Sequence, residues 1–173
     1  TLRHTLFPYT TLFRSHLFKH NQTRHPILEN RARRGGLTHA RGATAIPIQT
    51  ARGNSAMKLL ILADIDGFHW SHGKGNADLL LSCGDVPDPA ILEAAQAYTC
   101  NRVFAVKGNH DSSAPFADPI LNLHLHIHEY CGLRFGGHNG AWRYKPRGHF
   151  LYDQEEVDTM LAAFPPVDVF ISH

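Results

Sequence analysis

Side chains that could bind a metal follow the ends of four short apolar segments. Asp64 and Asp66 follow the first segment, and Asp85 follows the second. Asn109 follows the third segment, and His173 follows the fourth. Apolar runs of four to eight residues between turn signals are typical of buried strands, and open α/β sheets bind ligands beyond the carboxyl ends of their strands. The spacing therefore predicts that these five side chains converge on one site.

The first pair of carboxylates indicates the kind of ligand. Asp64 and Asp66 are two residues apart, so both side chains point to the same side of an extended chain. Neighbouring carboxylates repel each other unless a cation lies between them, and hard divalent ions prefer oxygen ligands. An exposed turn is the alternative interpretation of this pair. At Asp85 the preceding Gly84 allows a close approach of the backbone.

The segment Gly108-Asn109-His110-Asp111 combines three useful functional groups. Asn109 offers a neutral carbonyl oxygen, and His110 can donate a proton or a hydrogen bond. Asp111 can fix the tautomer of a neighbouring imidazole. We therefore expect His110 to be catalytic and Asp111 to assist it.

The elements that must position these groups alternate between strands and helices. The pattern predicts strands at 58–63, 78–83, 102–106, 121–129, 133–135 and 168–172, with helices at 88–99 and 153–164. Asp88 is the predicted N-cap of the first helix, with Pro89 as its first residue. This alternation predicts an α/β fold built in layers.

Length and composition limit the class of protein. The chain has 173 residues and is 43% apolar, which is enough for one domain with a core. No segment approaches the ~20 apolar residues that a membrane-spanning helix needs. Three widely spaced cysteines fit neither a disulfide framework nor a CxxC zinc site, which favours a reducing, cytoplasmic location. The oligomeric state stays open.

The charge is distributed unevenly along the chain. Residues 1–56 contain nine Lys or Arg and one acid, whereas residues 57–173 contain eight Lys or Arg and fourteen acids. The basic segment shows no sustained periodicity, and its residues 5–15 resemble the translation of a sequencing adapter. We expect a disordered, non-native leader at 1–56 and a folded domain at 57–173 that opens with Met57. A nucleic-acid-binding arm and a transit peptide are the alternatives.

The order of motifs D-x-D, GD-x-x-D, GNHD and strand-His resembles the calcineurin-like metallophosphoesterase superfamily over residues 57–173. The resemblance implies a layered α/β sandwich of mixed sheets flanked by helices. It also implies two divalent metal ions and hydrolysis of a phosphomonoester or phosphodiester by a metal-bridging hydroxide. The implied substrate is a phosphorylated small molecule or a nucleotide, and neither a nucleic acid nor a membrane is expected as a partner.

The resemblance also assigns a role to each residue of the motifs. Asp64 and Asp66 would hold the first ion, and Asp85 would bridge both ions. Asn109 and His173 would hold the second ion. The ions implied are Mn, Fe, Zn or Ni, and Mn is favoured because a carboxylate replaces the histidine usual at position 66. In the same scheme His110 would stand near the scissile phosphate with Asp111 behind it.

The chain departs from the family pattern in one further respect. The family's GHxH motif, which supplies one ligand to each ion, has no counterpart in this sequence. We therefore expect a C-terminally incomplete domain that is inactive or weakly active. The alternative is a non-catalytic binding module of the same fold with an incomplete metal site.

Other polar residues are candidates for contact with the substrate. The candidates are His69, His138, Asn139 and Arg143. Arg143 belongs to an aromatic and basic segment, 142–147, that is expected either to recognise an anionic or nucleotide substrate or to form an amphipathic edge strand. Three histidines alternate at 124, 126 and 128, which predicts that they share one exposed face of a strand.

Overall fold

The structure is a computed structural model that describes residues 43–49, 56–65 and 73–173. It shows a mixed α/β fold with three sheets and two helices in these ranges. The described part of the chain has no helix whose length and apolar character would let it cross a membrane.

The central sheet has five strands, which lie side by side in chain order. They are β1 (Ala43–Gln49), β2 (Ala56–Leu62), β3 (Leu79–Cys83), β4 (Arg102–Val106) and β5 (Leu121–Asn122). Strands β2 to β5 run parallel, and β1 pairs with β2 in the antiparallel direction. The carboxyl ends of β2, β3 and β4 therefore meet at one edge of the sheet.

A second sheet has three strands, and a third has two. The remaining elements are β6 (Ile127–Tyr130), β7 (Leu133–His138), β8 (Ala141–Trp142), β9 (Leu151–Tyr152), β10 (Val169–Ser172), α1 (Asp88–Ala97) and α2 (Gln154–Leu161). The three-stranded sheet has the order β10-β7-β6, in which β10 runs parallel to β7. The short strands β8 and β9 are also parallel.

Alternating apolar residues give the central sheet two buried faces. In β3, Leu80 packs with Ile91 of α1, whereas Leu79 and Leu81 pack with Phe135 of β7 on the opposite face. This period of two explains why β3 is apolar apart from Ser82, since a strand buried on both faces has no exposed side. The layers are thus α1, the central sheet and the three-stranded sheet, and the carboxyl end of β10 lies beside that of β3.

Most predicted elements lie within two residues of their observed bounds, but the predicted cap of α1 is wrong. The N-cap is Pro87, and it makes no side-chain hydrogen bond. The Asp88 carboxylate instead accepts a hydrogen bond from the Ala117 backbone N–H at 2.7 Å and lies 3.6 Å from the Lys107 Nζ. The Asp88 carboxylate therefore pairs with the buried Lys107, whereas the sequence pattern predicts that it caps the helix.

The single strand predicted at 121–129 is also wrong. The chain turns between β5 and β6, where the His126 N–H donates to the Leu123 carbonyl and Leu125 has a φ of 56°. Because this turn breaks the period of two, the three histidines do not share a face. His124 Nδ1 accepts from the Asn139 N–H, whereas the His128 ring stacks on Phe104 with centroids 5.5 Å apart.

The segment 1–56, which the sequence predicts to lack regular structure, contains β1. This strand pairs with β2 along its whole length, from Ala43 opposite Leu62 to Gln49 opposite Ala56. Pro47 is compatible with it because β1 lies at the edge of the sheet, where a missing N–H is tolerated. The non-native origin of the segment and a domain boundary at Met57 stay predictions.

Candidate metal centre

Three of the predicted ligands converge at the carboxyl ends of β2, β3 and β10. Ligand atoms of Asp64, Asp85 and His173 all lie within 4.8 Å of one another, and each residue is half-buried. Two of these strands belong to the central sheet and one to the three-stranded sheet, so the cluster lies where the two sheets meet. The predicted convergence is found for these three residues.

Asp64 and Asp85, whose carboxylates belong to the cluster, both have unusual backbone angles. Asp64 has a φ of 52° and Asp85 has a φ of 53°, in the left-handed region that residues other than glycine seldom adopt. Hydrogen bonds between the two segments hold this geometry, since Asp64 N–H donates to Gly84 O and Ile65 N–H donates to Asp85 O. Strained residues of this kind persist where the surrounding structure over-determines them, and they concentrate at functional sites.

The contact between Asp85 and His173 defines which ring nitrogen faces the cluster. The His173 Nδ1 lies 3.1 Å from the Cys83 backbone carbonyl, and because a carbonyl only accepts, this nitrogen carries a hydrogen. The His173 Nε2 lies 3.2 Å from the Asp85 Oδ2. In a neutral imidazole this Nε2 would be a lone-pair acceptor facing a carboxylate. The contact is therefore favourable only if the ring is protonated or a cation shares both acceptors.

The pKa values reflect this contact. Burial disfavours the His173 cation, but the hydrogen bond and charge of Asp85, together with the charge of Asp64, raise the net pKa of His173. For Asp85 burial acts to raise the pKa, but hydrogen bonds from His173 and the His110 backbone lower it overall. A lowered carboxyl pKa keeps Asp85 ionised and able to bind a cation near neutral pH.

Two glycines allow the segments around the cluster to approach each other. A Cβ on Gly84 would lie 2.7 Å from the His173 ring, and Gly84 also has a φ of 98°. A Cβ on Gly108 would lie 2.1 Å from the Asp85 Oδ1. The sequence predicted the close approach of the backbone at Gly84. Nothing in the sequence around Gly108 predicted that this position also requires a glycine.

The segment after β4 is bound to Asp85 through its backbone. The Asp85 Oδ1 accepts a hydrogen bond from the His110 N–H at 2.8 Å. The Asp111 Oδ2 accepts from the N–H groups of Gly108 and Asp85, at 2.8 and 2.9 Å. The His110 side chain itself is exposed. The segment thus holds an exposed imidazole next to the cluster.

The contacts of Asp111 differ from the role expected for it. Its hydrogen bonds among the described residues go to backbone amides, and the predicted bond to the His110 imidazole is not one of them. Burial raises the pKa of the Asp111 carboxyl despite these two bonds, which lower it. Asp111 therefore positions the backbone of the segment rather than the tautomer of the imidazole.

Asn109 makes a contact that the sequence did not predict. Its Nδ2 donates to the Tyr144 Oη at 3.2 Å. The bond uses the amide nitrogen, so the carbonyl oxygen, which is the atom that a metal would bind, is not consumed by it. Tyr144 lies in the aromatic and basic segment 142–147. Its hydrogen bond with Asn109 therefore connects that segment to the candidate centre.

Comparisons of the chain with models of protein families, with curated proteins and with solved structures find no match.

The predicted substrate contacts at the end of β7 are buried. His138 is 5% exposed, and its ring packs against those of His124 and Tyr152. Asn139 is 3% exposed, and its Oδ1 accepts from the Lys107 backbone N–H at 2.8 Å. Neither side chain is open to a substrate in this structure, because each packs between layers of the fold. Burial, with the nearby His124, lowers the pKa of His138 to about 4, so its ring is neutral.

Arg143 also has a structural role. Its guanidinium pairs with Glu156 of α2 and lies 3.9 Å from the Asp153 carboxylate. The remaining predicted site residues, Asp66 and His69, lie outside the described residues.

Proposed function

We propose that this protein is a metal-dependent phosphoesterase that uses two divalent ions, as its resemblance to the calcineurin-like metallophosphoesterases implies. One observation carries the proposal: Asp64, Asp85 and His173 come from three separate strands and bring their ligand atoms within 4.8 Å of one another. The sheets packed behind them support a sandwich of the metallophosphoesterase type.

The donor set fits a divalent cation. Asp85 Oδ2 and His173 Nε2 are 3.2 Å apart, and His173 Nδ1 is already bonded to a backbone carbonyl. The hydrogen bond from Nδ1 to the backbone carbonyl orients the imidazole as ligating histidines are oriented in metalloproteins. Two carboxylates and one imidazole suit Mn, Fe, Zn or Ni, and the excess of carboxylate favours Mn.

We assign the residues as follows. Asp64 and Asp66 would hold one ion, Asn109 and His173 the other, and Asp85 would lie between them. When bound, such ions supply Lewis-acid stabilisation of the phosphate and lower the pKa of a bound water. The exposed imidazole of His110 would donate a proton to the leaving oxygen, while Asp85 holds the His110 backbone and Asp111 holds that of Gly108.

The proposed substrate is a phosphomonoester or phosphodiester of a small molecule or nucleotide, with neither nucleic acid nor membrane as a partner. We further propose a cytoplasmic location. All three cysteines are free thiols, which accords with a reducing compartment.

Metal binding is the first test. Mn²⁺ is titrated into the protein and the free ion is measured by electron paramagnetic resonance. Asp85→Asn is expected to weaken binding about 100-fold, because one oxygen ligand becomes an amide. Asp158→Asn, on the exposed side of α2, is the matched control and is expected to bind as the parent does. Equal affinity in the parent and Asp85→Asn would contradict the metal centre.

Hydrolysis is the second test, with bis(4-nitrophenyl) phosphate as substrate and the protein in excess. Two of the family's usual histidine ligands have no counterpart in this sequence, so turnover is expected to be weak and to rise when imidazole is added. Asp85→Asn and His110→Ala are expected to abolish it. Turnover close to the parent's in either variant would refute the mechanism. Mn²⁺ binding without any hydrolysis, even after addition of imidazole, would instead favour the non-catalytic binding module.

A further inference from the structure

Two large aromatic side chains are exposed at β8 and just after it. Trp142 is 58% exposed and Tyr144 is 59% exposed, the highest values among the large apolar side chains of the described residues. Trp and Tyr combine a large apolar ring with a polar group, and both are enriched at surfaces that bind partners. The pair is therefore a candidate for recognition.

The local backbone explains why both rings face outward. Exposure alternates along this segment, with Ala141 and Arg143 half-buried and Trp142 and Tyr144 exposed. The Arg143 backbone N–H donates to the Tyr152 carbonyl at 2.9 Å, which continues the ladder between β8 and β9. In an extended chain, residues two apart share a face.

Arg143 holds this face in place from the other side. Its guanidinium is paired with Glu156 and Asp153 at the start of α2. The segment is thus attached to a helix on one side and presents its two aromatic rings on the opposite side.

A hydrogen bond connects this aromatic face to the candidate centre. The Tyr144 Oη accepts from the Asn109 Nδ2 at 3.2 Å. Asn109 directly precedes His110, whose backbone N–H is bonded to Asp85. A ligand with its phosphate at the centre therefore has an aromatic surface within the reach of its organic group.

The charge around the aromatic face suits an anionic ligand. Lys145 places its Nζ 5.1 Å from the centroid of the Tyr144 ring, and Arg147, two residues further along the chain, is exposed. Residues 140–152 contain no Asp or Glu. A planar group that stacks on Tyr144 would therefore meet an aromatic ring and a cation together, a combination typical of nucleotide recognition.

We propose that Trp142, Tyr144 and Lys145 form a subsite for the base of a nucleotide substrate. The inference rests on the proposed function, because that function places the phosphate at the Asp64, Asp85 and His173 cluster. The base stacks on Tyr144 and Trp142, and Lys145 contributes positive charge beside the ring. Specificity for a nucleotide then arises from segment 142–147 and not from the metal ligands.

Binding of adenosine 5′-monophosphate and of ribose 5-phosphate tests the proposal, since the two differ only by the base. Both are titrated calorimetrically in the presence of Mn²⁺. The nucleotide is expected to bind about 10-fold more tightly, which corresponds to one stacked base. Tyr144→Ala and Trp142→Ala are each expected to reduce this preference without changing the affinity for ribose 5-phosphate.

Three further variants sharpen the result. Tyr144→Phe keeps the ring but lacks the hydroxyl, so it is expected to retain the preference for the nucleotide. Lys145→Gln is expected to weaken nucleotide binding, whereas Lys74→Gln, an exposed lysine in another loop, is the matched control and is expected to have no effect. Circular dichroism establishes that each variant is folded.

The outcomes separate the subsite from the metal centre. Equal affinity for the two ligands in the parent, or an equal loss for both in Tyr144→Ala, would overturn the subsite. A preference for the nucleotide that depends on Tyr144, in a protein that does not bind Mn²⁺, would support the subsite and contradict the proposed function. Mn²⁺ binding that Tyr144→Ala leaves unchanged, together with loss of that preference, supports both.

Discussion

Asp85 connects more parts of the candidate centre than any other single side chain described above. Its Oδ1 accepts from the His110 backbone, and its Oδ2 contacts the His173 ring. Its own backbone N–H donates to Asp111, and its carbonyl accepts from Ile65. A substitution at Asp85 therefore affects the ends of three strands at once.

The Asp85 and His173 pair predicts a pH-dependent stability in protein kept free of metal. The pKa of His173 is raised, so its contribution is complete below its ordinary value of 6.5 and is lost as the pH rises through the raised value. The pKa of Asp85 is lowered, so its contribution is complete above 3.8 and is lost as the pH falls through the lowered value. The pair is therefore expected to stabilise most between pH 3.8 and pH 6.5.

Urea unfolding in EDTA measures this effect. Asp85→Asn is expected to lower the free energy of unfolding by about 1 kcal/mol near pH 5.5, after allowance for solvent screening, and by less near pH 8.5. Asp158→Asn, an exposed change of the same kind, is expected to show no such pH dependence. A loss of the same size at both pH values would contradict the role of the pair.

Gly108 provides a steric prediction at the same site. Gly108→Ala would place a Cβ 2.1 Å from the Asp85 Oδ1, so the carboxylate or the segment must move. We expect a loss of about 1–3 kcal/mol in stability and at least about a 10-fold loss in Mn²⁺ affinity. Ser112→Ala, an exposed change in the same loop, serves as control. Unchanged Mn²⁺ affinity in Gly108→Ala would show that the close packing is not needed.

At the scale of elements, the two helices show when a sequence signal for a cap holds. In α2 a reciprocal polar cap is found, because Asp153 accepts from the Glu156 N–H at 3.0 Å and Glu156 accepts from the Asp153 N–H at 2.8 Å. The carboxylate of Asp88 instead contacts Lys107, a buried residue distant in sequence. A cap is thus predictable where both partners lie within one turn and no buried group competes for the carboxylate.

Asp153→Ala tests the reciprocal cap of α2. The expected cost is about 1 kcal/mol, because the N–H of Glu156 loses its partner at the start of the helix. Mn²⁺ binding is expected to stay unchanged, since α2 holds none of the metal ligands. Thermal unfolding and the Mn²⁺ titration measure the two effects. A parallel loss of Mn²⁺ binding would show that α2 helps to shape the centre.

At the scale of the whole molecule, the central sheet takes part in two hydrophobic cores. Phe104 of the central sheet and Phe135 of the three-stranded sheet are fully buried, with ring centroids 5.3 Å apart. The candidate centre lies at the edge where these two sheets meet. Its geometry therefore depends on the packing between the sheets.

Phe135→Ala tests this dependence. Removal of a fully buried aromatic ring is expected to cost about 3–5 kcal/mol and to weaken Mn²⁺ binding through the displacement of β10. Trp142→Ala removes a larger but exposed ring and is expected to change stability by less than about 0.5 kcal/mol. Urea unfolding monitored by circular dichroism measures both. Equal costs in the two variants would contradict the inter-sheet core.

The sequence by itself determined the three strands that precede Asp64, Asp85 and His173 and the residues that follow them. Apolar runs and their bounding turns are local, and parallel neighbours bring their carboxyl ends together, so Asp64, Asp85 and His173 were predictable as a cluster. The break at Leu125 within the histidine repeat was not predictable, because the chain passes there from the central sheet to the three-stranded sheet, which no local period encodes.

Only the tertiary structure decided which polar groups face the candidate site and which support it. Burial of His138 and Asn139, the contact of Asp111 with the Asp85 backbone and the bond from Asn109 to Tyr144 all join residues or layers whose approach no local pattern encodes. The physical reason is the separation along the sequence between the residues that interact. Periodicity and caps act within a few residues, whereas these contacts depend on how elements distant in sequence pack against each other.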